Sequence, residues 1–248
     1  MKAGFAKADI TPPIGCLKIG WIKPIVVERI LDPLYARVAV FDDGVGRAAL
    51  VQLDTLSIRW TQVNEIRQRA EIELGIPGAA LMVAATHNHS GPAVATVCDV
   101  PRDETYVAGL ADVVLSALHQ AVEVLEDVEL GFAHVFEFRL THNRRVALRD
   151  GTTTTHGLGF DHPLALYTEG PIDPEVAVLA ARRPDGSLLG ALVNFACHPV
   201  HYGGDPVITA GFPGVLADEL AARECPEIVF LNGACGNISP GDPTRGYQ

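Results

Sequence analysis

The sequence is short of positive charge. Its 19 Lys and Arg stand against 30 Asp and Glu, a formal net charge of -11 at pH 7. No cluster of basic residues with interleaved aromatics offsets this, and aromatics make up only 6% of the chain. An acidic surface repels phosphate backbones, so nucleic acid is not an expected partner. No apolar run approaches 18 residues, and no transmembrane helix is expected. Lys7 and Asp9 stand where a signal peptide needs its apolar core. The N-terminus therefore reads as the first strand of the fold, and a cytoplasmic location is expected. The five cysteines are odd in number and form no C-x-x-C pair. They read as reduced, mostly buried thiols. There is no internal repeat, no heptad and no low-complexity tract beyond the threonines at 152–155.

What is present is ample material for a core. The 248 residues are 48% hydrophobic, with 24 Gly and 17 Pro. The reading is one α/β domain over 1–248, with mixed β-sheets flanked by helices and the site at the C-terminal ends of strands. Ala3 to Ile10 is a strand stopped by Thr11-Pro12-Pro13. Leu34 to Phe41 and Arg47 to Leu53 form a hairpin around Asp42-Asp43-Gly44. Helices are expected over 61–74, 103–126 and 212–223, the second with Asp103 as N-cap. A second hairpin joins 175–182 to 187–197. Residues 16–32 read as loop, a possible pocket rim. Residues 149–172, which include His156 and His162, read as one long irregular loop.

Four strands end in residues suited to chemistry. Leu81 to Ala85 opens into Thr86-His87-Asn88-His89-Ser90-Gly91-Pro92. In an extended chain residues i and i+2 share a face, which places His87 and His89 about 6.5–7 Å apart at their Cα atoms. Taken alone, two solvated histidines in a polar turn explain this pattern equally well. The strand over 187–197 delivers His198-Pro199. The strand over 227–231 opens into a glycine-containing segment ending in Ser239-Pro240, which suits an anion-binding nest. The strand over 129–140 is followed by Arg144. Asp54, at another strand end, reads as a loop cap, with support of a metal ligand as the weaker alternative. His119 reads as structural. His201, past Pro199, is not expected to be a first-choice ligand. Neutral imidazoles suit zinc, but a catalytic zinc needs at least three protein ligands and an open position.

The pieces Gly4-Phe5-Ala6-Lys7-Ala8-Asp9-Ile10-Thr11, Thr86-His87-Asn88-His89-Ser90-Gly91-Pro92, Asn143-Arg144, His198-Pro199 and Gly236-Asn237-Ile238-Ser239-Pro240 occur in one order along the chain. In that order the chain resembles the neutral/alkaline non-lysosomal ceramidases, zinc-dependent amidases. The resemblance implies that His87 and His198 bind Zn2+. It implies that His89 and Arg144 face the substrate, and that Ser239 is the nucleophile or a substrate-positioning hydroxyl. It also implies a Glu and a Tyr as further ligands from beyond the Ser-Pro motif, and these have no counterpart in the 248 residues. Two functional expectations follow. One is a zinc-dependent hydrolase that cleaves the N-acyl bond of a small-molecule or lipid-like amide, with His89 as general acid or base and Arg144 stabilising developing negative charge. The other is an incomplete domain that binds zinc weakly, without turnover, unless Asp54, His89, His201, a second copy or a partner segment completes the shell. A metal-free serine hydrolase built on Ser239 is a third reading. Gly-Asn-Ile-Ser-Pro is not a G-x-S-x-G elbow, which counts against it. Ligand histidines must be neutral, so zinc affinity is expected to fall below about pH 6.5.

Overall fold

The computed structural model describes residues 1–155 and 162–241. Two larger sheets are stacked face to face, and helices cover their outer faces. The first sheet has the order Leu81–Ala85, Arg47–Leu53, Tyr35–Asp42, Lys2–Asp9, Glu126–Asp127. Its Arg47–Leu53 and Leu81–Ala85 strands are parallel, and its other pairs are antiparallel. The second has the order Glu129–Phe136, Glu175–Arg182, Leu188–Phe195, Ile228–Asn232, with the last two parallel. Mixed sheets flanked by helices are what the pattern of apolar runs predicts.

Side-chain alternation explains the layering. In Tyr35–Asp42, Ala36, Val38 and Val40 join the core under the helices, while Ala39 and Phe41 join the core between the sheets. A strand covered on both faces needs apolar residues at odd and even positions alike. The inter-sheet core is built from Ala3, Phe5 and Ala39 on one side and Leu189, Leu192 and Val229 on the other.

Helix α1 spans Trp60–Leu74 and stops at Gly75, which takes φ 65 and donates its N–H to the last turn. Glycine is the residue that enters this left-handed conformation without a Cβ penalty. Helix α2 spans Glu104–Glu123, and the Asp103 carboxylate accepts from Tyr106 N as its N-cap. By length and composition α2 could cross a membrane, the one such helix among the described residues. Its stripe of Val107, Leu110, Val114, Leu118 and Ala121 is instead buried in the core of this fold. Helix α3 spans Gly211–Ala221 and covers the second sheet beside Ile228–Asn232.

Two segments expected to be loops carry strands. Leu17–Ile19 pairs with Ile25–Val26 and with Gly91–Pro92, the residues that follow His89. Thr153–Thr155 and Ala165–Thr168 flank Arg145–Leu148. Threonine is β-branched and suits a strand, and that preference prevails over the Gly-Pro-rich composition around it. His156 lies outside the described residues. His162 accepts a bond from Leu164 N at 3.3 Å and takes no part in the site below.

Candidate metal centre

The Leu81–Ala85 strand ends before its histidines. His87 takes φ 67, a left-handed conformation uncommon outside glycine. The extended-strand argument therefore does not explain how His87 and His89 meet; a turn pinned by Asn88 does. Asn88 is buried between them. Its Nδ2 donates to Asp54 O and Thr209 O, its Oδ1 accepts from Ser90 N, and its own N–H donates to Thr55 O. His198 arrives from the second sheet. Asn232 joins the two arrivals, since its Nδ2 donates to Thr86 O and its Oδ1 accepts from Cys197 N.

The three imidazoles converge. His89 Nε2 lies 3.3 Å from His87 Nε2 and 2.9 Å from His198 Nε2. The ring centroids are 4.8–4.9 Å apart. Each Nδ1 faces a backbone carbonyl: His87 to Leu56 O at 3.0 Å, His89 to Gly20 O at 2.6 Å and His198 to Cys235 O at 2.9 Å. A carbonyl only accepts, so each Nδ1 carries the hydrogen and each neutral ring presents a bare Nε2. Three lone pairs then point at one space. Burial disfavours relief of their repulsion by a proton on His89 or His198. Burial lowers the pKa of His89 to about 4, with His87, Arg144 and Lys18 adding to the effect. Burial likewise lowers His198 to about 4, with His89, Arg144 and His87 adding to it. A cation does relieve it. Nitrogens bound at about 2.0–2.1 Å in a tetrahedron are about 3.3 Å apart, close to the spacing found. Imidazole donors with Nδ1 fixed on a carbonyl are also the usual outer arrangement of a metal-binding histidine. The set can hold a metal ion.

The lowered pKa values bear on stability. Between about pH 6.5 and about 4 the unfolded chain takes up protons on these two rings that the folded chain refuses. Stability rises with pH wherever the unfolded state binds more protons. Metal-free protein is therefore expected to lose stability as the pH falls through that window, whereas a histidine pair with equal folded and unfolded pKa values would add no slope. Denaturant melts at pH 7, 5.5 and 4.5 on the wild type and a H89A/H198A variant check this. A variant with the same pH slope as the wild type would contradict it.

Gly20 is part of the same arrangement. It takes φ +106, and a Cβ there would lie 2.8 Å from His89 Cα and 2.9 Å from His89 Nδ1. Gly20→Ala is expected to turn the His89 ring and lower metal affinity by about 10- to 100-fold, the range for losing a group that orients a ligand. Zinc titration of the metal-free variant reads it, and unchanged affinity would show that Gly20 does not hold His89.

The other candidates have separate places. Asp54 is buried; its carboxylate accepts from Tyr35 N and Gln52 Nε2, and burial raises its pKa to about 6. It supports the site through its backbone carbonyl under Asn88 rather than through its carboxylate. Arg144 sits between the His142–Asn143 and Arg145–Leu148 strands. Its guanidinium donates to Gly236 O at 2.7 Å, and its charge disfavours a proton on His89 and His198. Ser239 lies on Ile238–Ser239, paired with His142–Asn143, and its Oγ accepts from Gly241 N at 3.1 Å. The glycine-containing segment supplies three carbonyls to the site: Cys235 O to His198, Gly236 O to the Arg144 side chain and Asn237 O to Arg144 N. His201 stays outside the cluster, with its ring against Phe212 and its carbonyl accepting from Ser90 Oγ. His119 pairs with Glu73 on the surface.

No family model and no curated protein sequence matches the chain. Solved structures do. One is described as neutral ceramidase from Pseudomonas aeruginosa, 22% identical, with a TM-score of 0.74 over 96% of this chain and 39% of that chain. Another is described as a ceramidase complexed with C2, also 22% identical, with a TM-score of 0.76 over 96% of this chain and 38% of that one. The fold is that of neutral ceramidase. The chain spans less than half the length of those ceramidases. Within this ceramidase fold the three histidines come from the strand-end turn after Leu81–Ala85 and from the segment after Leu188–Phe195.

Proposed function

We propose that the chain is the metal-binding part of a hydrolase that cleaves N-acyl amides, with zinc held by His87, His89 and His198. The observation that carries this reading is the convergence of three Nε2 lone pairs whose Nδ1 hydrogens are all committed to backbone carbonyls. Neutral imidazoles favour zinc among the common hydrolytic metals, and three protein ligands leave a fourth position for water or substrate. Bound there, zinc supplies a polarised acyl carbonyl and a water of lowered pKa.

The chain's own groups do the rest. His89 is a ligand in this reading. With Nε2 on the ion and Nδ1 donating to Gly20 O, it has no free nitrogen for proton transfer, so the acid–base role expected of it passes to another group. Arg144 keeps positive charge beside the cluster, where negative charge develops on the acyl oxygen. Ser239 contributes a hydroxyl held in place by its strand pairing with His142. An apolar cavity of about 310 Å³ is lined by Cys197 and Pro240, the sequence neighbours of His198 and Ser239, together with Phe195, Phe212 and Phe230. It supports an amide with an apolar acyl or amine part. The cysteines are all free, which supports a reducing, cytoplasmic setting.

A second reading rests on the Glu129–Phe136 strand. It is exposed at every position, with Phe132 68%, Val135 64% and Phe136 60% exposed. In that reading the chain is an incomplete unit, and turnover needs a further polypeptide over this sheet. Both readings are tested by hydrolysis of short- and long-chain N-acyl amides with and without added zinc. Zinc-dependent hydrolysis supports the first. Tight zinc binding with no hydrolysis of any amide supports the second. Ser239→Ala is expected to keep its melting temperature within a few degrees and to lose about 10²-fold in amidase rate. Wild-type turnover in that variant removes Ser239 from the mechanism.

A further inference from the structure

Lys18 is among the largest fully buried side chains of the protein, at 1% exposure. A lysine is almost never buried this completely unless its charge is compensated. Here the compensation comes from main-chain carbonyls: Nζ donates to Tyr202 O and, at 2.7 Å, to Asp205 O. Both belong to the loop that leaves His198. Tyr202 takes φ 54 in that loop, so its carbonyl is aimed by a backbone conformation that non-glycine residues seldom adopt. Burial lowers the lysine's pKa to about 8, partly offset by the charge of Asp205.

The segment that carries Lys18 also reaches the other histidine loop. Leu17–Ile19 pairs with Gly91–Pro92, and Gly20 O receives the Nδ1 hydrogen of His89. Trp21 packs over Gly203 and Gly204, where an added Cβ would meet its ring at 3.4–3.9 Å. The near end of the His198 loop is already tied, by His89 N to Pro199 O and by Ser90 Oγ to His201 O. Beyond His201, the Lys18 ammonium and the Trp21 ring hold the turn. A neutral apolar residue at 18 would remove the Nζ donor that joins the two carbonyls, leaving Tyr202 O with Asp205 N and Asp205 O with Val207 N, both bonds local to the loop.

We infer that Lys18 is a positioning residue of the metal centre: by gathering the Tyr202 and Asp205 carbonyls it holds the loop after His198 against the strand whose Gly20 carbonyl orients His89. This rests on the proposed zinc site. No role in proton transfer is assigned to it.

The test is zinc titration of metal-free wild type, K18M and K18Q, with amide hydrogen exchange on the same metal-free proteins. K18M keeps an unbranched apolar stem as far as the lysine Cε and cannot donate. It is expected to lose about 10- to 100-fold in zinc affinity. Its amides at Val200, Gly203 and Asp205 are expected to exchange faster, while those of the first sheet keep wild-type rates. K18Q retains a donor and is expected to fall between K18M and wild type; if K18M does not fold, K18Q decides, with a loss of affinity supporting the role and wild-type affinity overturning it. A lower melting temperature with unchanged zinc affinity overturns the positioning role, because a merely structural lysine gives that result. A wild type that binds no zinc overturns the proposed function and this role with it. A wild type that binds, beside a K18M that binds equally, overturns the role of Lys18 alone.

Discussion

Replacing His198 with alanine is expected to lower zinc affinity by about 10²- to 10³-fold. Zinc bound by four ligands in small domains is worth roughly 10–16 kcal/mol at neutral pH, or about 3 kcal/mol per ligand, and each 1.4 kcal/mol is tenfold. Equal losses are expected for His87→Ala and His89→Ala, because all three Nε2 atoms face one space. The His89 result carries the most information. As a ligand it costs as much as His198. As an acid–base or substrate group alone, its loss would slow turnover and leave zinc affinity near wild type. Titration of zinc into each metal-free variant, in competition with a chelator of known affinity, separates the two.

Gly4→Ala is expected to destabilise the fold by more than about 3 kcal/mol, which for a chain of this size lowers the melting temperature by roughly 6–12 °C. A Cβ at position 4 would lie 1.9 Å from Ala121 O and 3.0 Å from Ala121 C, both backbone atoms of α2. No rotamer change relieves this. Either the first strand or α2 must move, and the core between them is closely packed. Gly46→Ala is the control. Nothing lies within 4 Å of its added Cβ, and its backbone is not in the left-handed region, so an effect within about 0.5 kcal/mol is expected. Equal melting temperatures for the two variants would show that Lys2–Asp9 and α2 do not approach as described.

The elements legible in the sequence were those whose signal is local. Periodicity places α1 and α2 within a few residues, and Gly75 and Asp103 mark the ends they occupy. The strands that deliver His87 and His198 are apolar runs ending in histidine, and they stand where those runs predict. The site itself was legible only in part. His87, His89 and His198 can be picked out one by one, but their convergence depends on a positive-φ turn at His87 and on Asn88 and Asn232, which reach across the stacked sheets. The Leu56, Gly20 and Cys235 carbonyls that set the tautomers leave no mark on residue identity, since every residue has a carbonyl. Only Gly20 carries a clue, because His89 leaves no room there for a Cβ. Lys18 falls in a stretch whose composition reads as loop. Its burial follows from carbonyls that lie 184 and 187 residues further along the chain.

The central claim is that three imidazoles of this chain form one metal site. X-ray absorption at the zinc edge, on protein loaded with one equivalent of zinc and washed free of excess, tests it most directly. The result expected is one zinc per chain with three imidazole nitrogens at about 2.0–2.1 Å and one further light-atom ligand. A protein that retains no zinc after washing, or a shell fitted by two imidazoles, would contradict it.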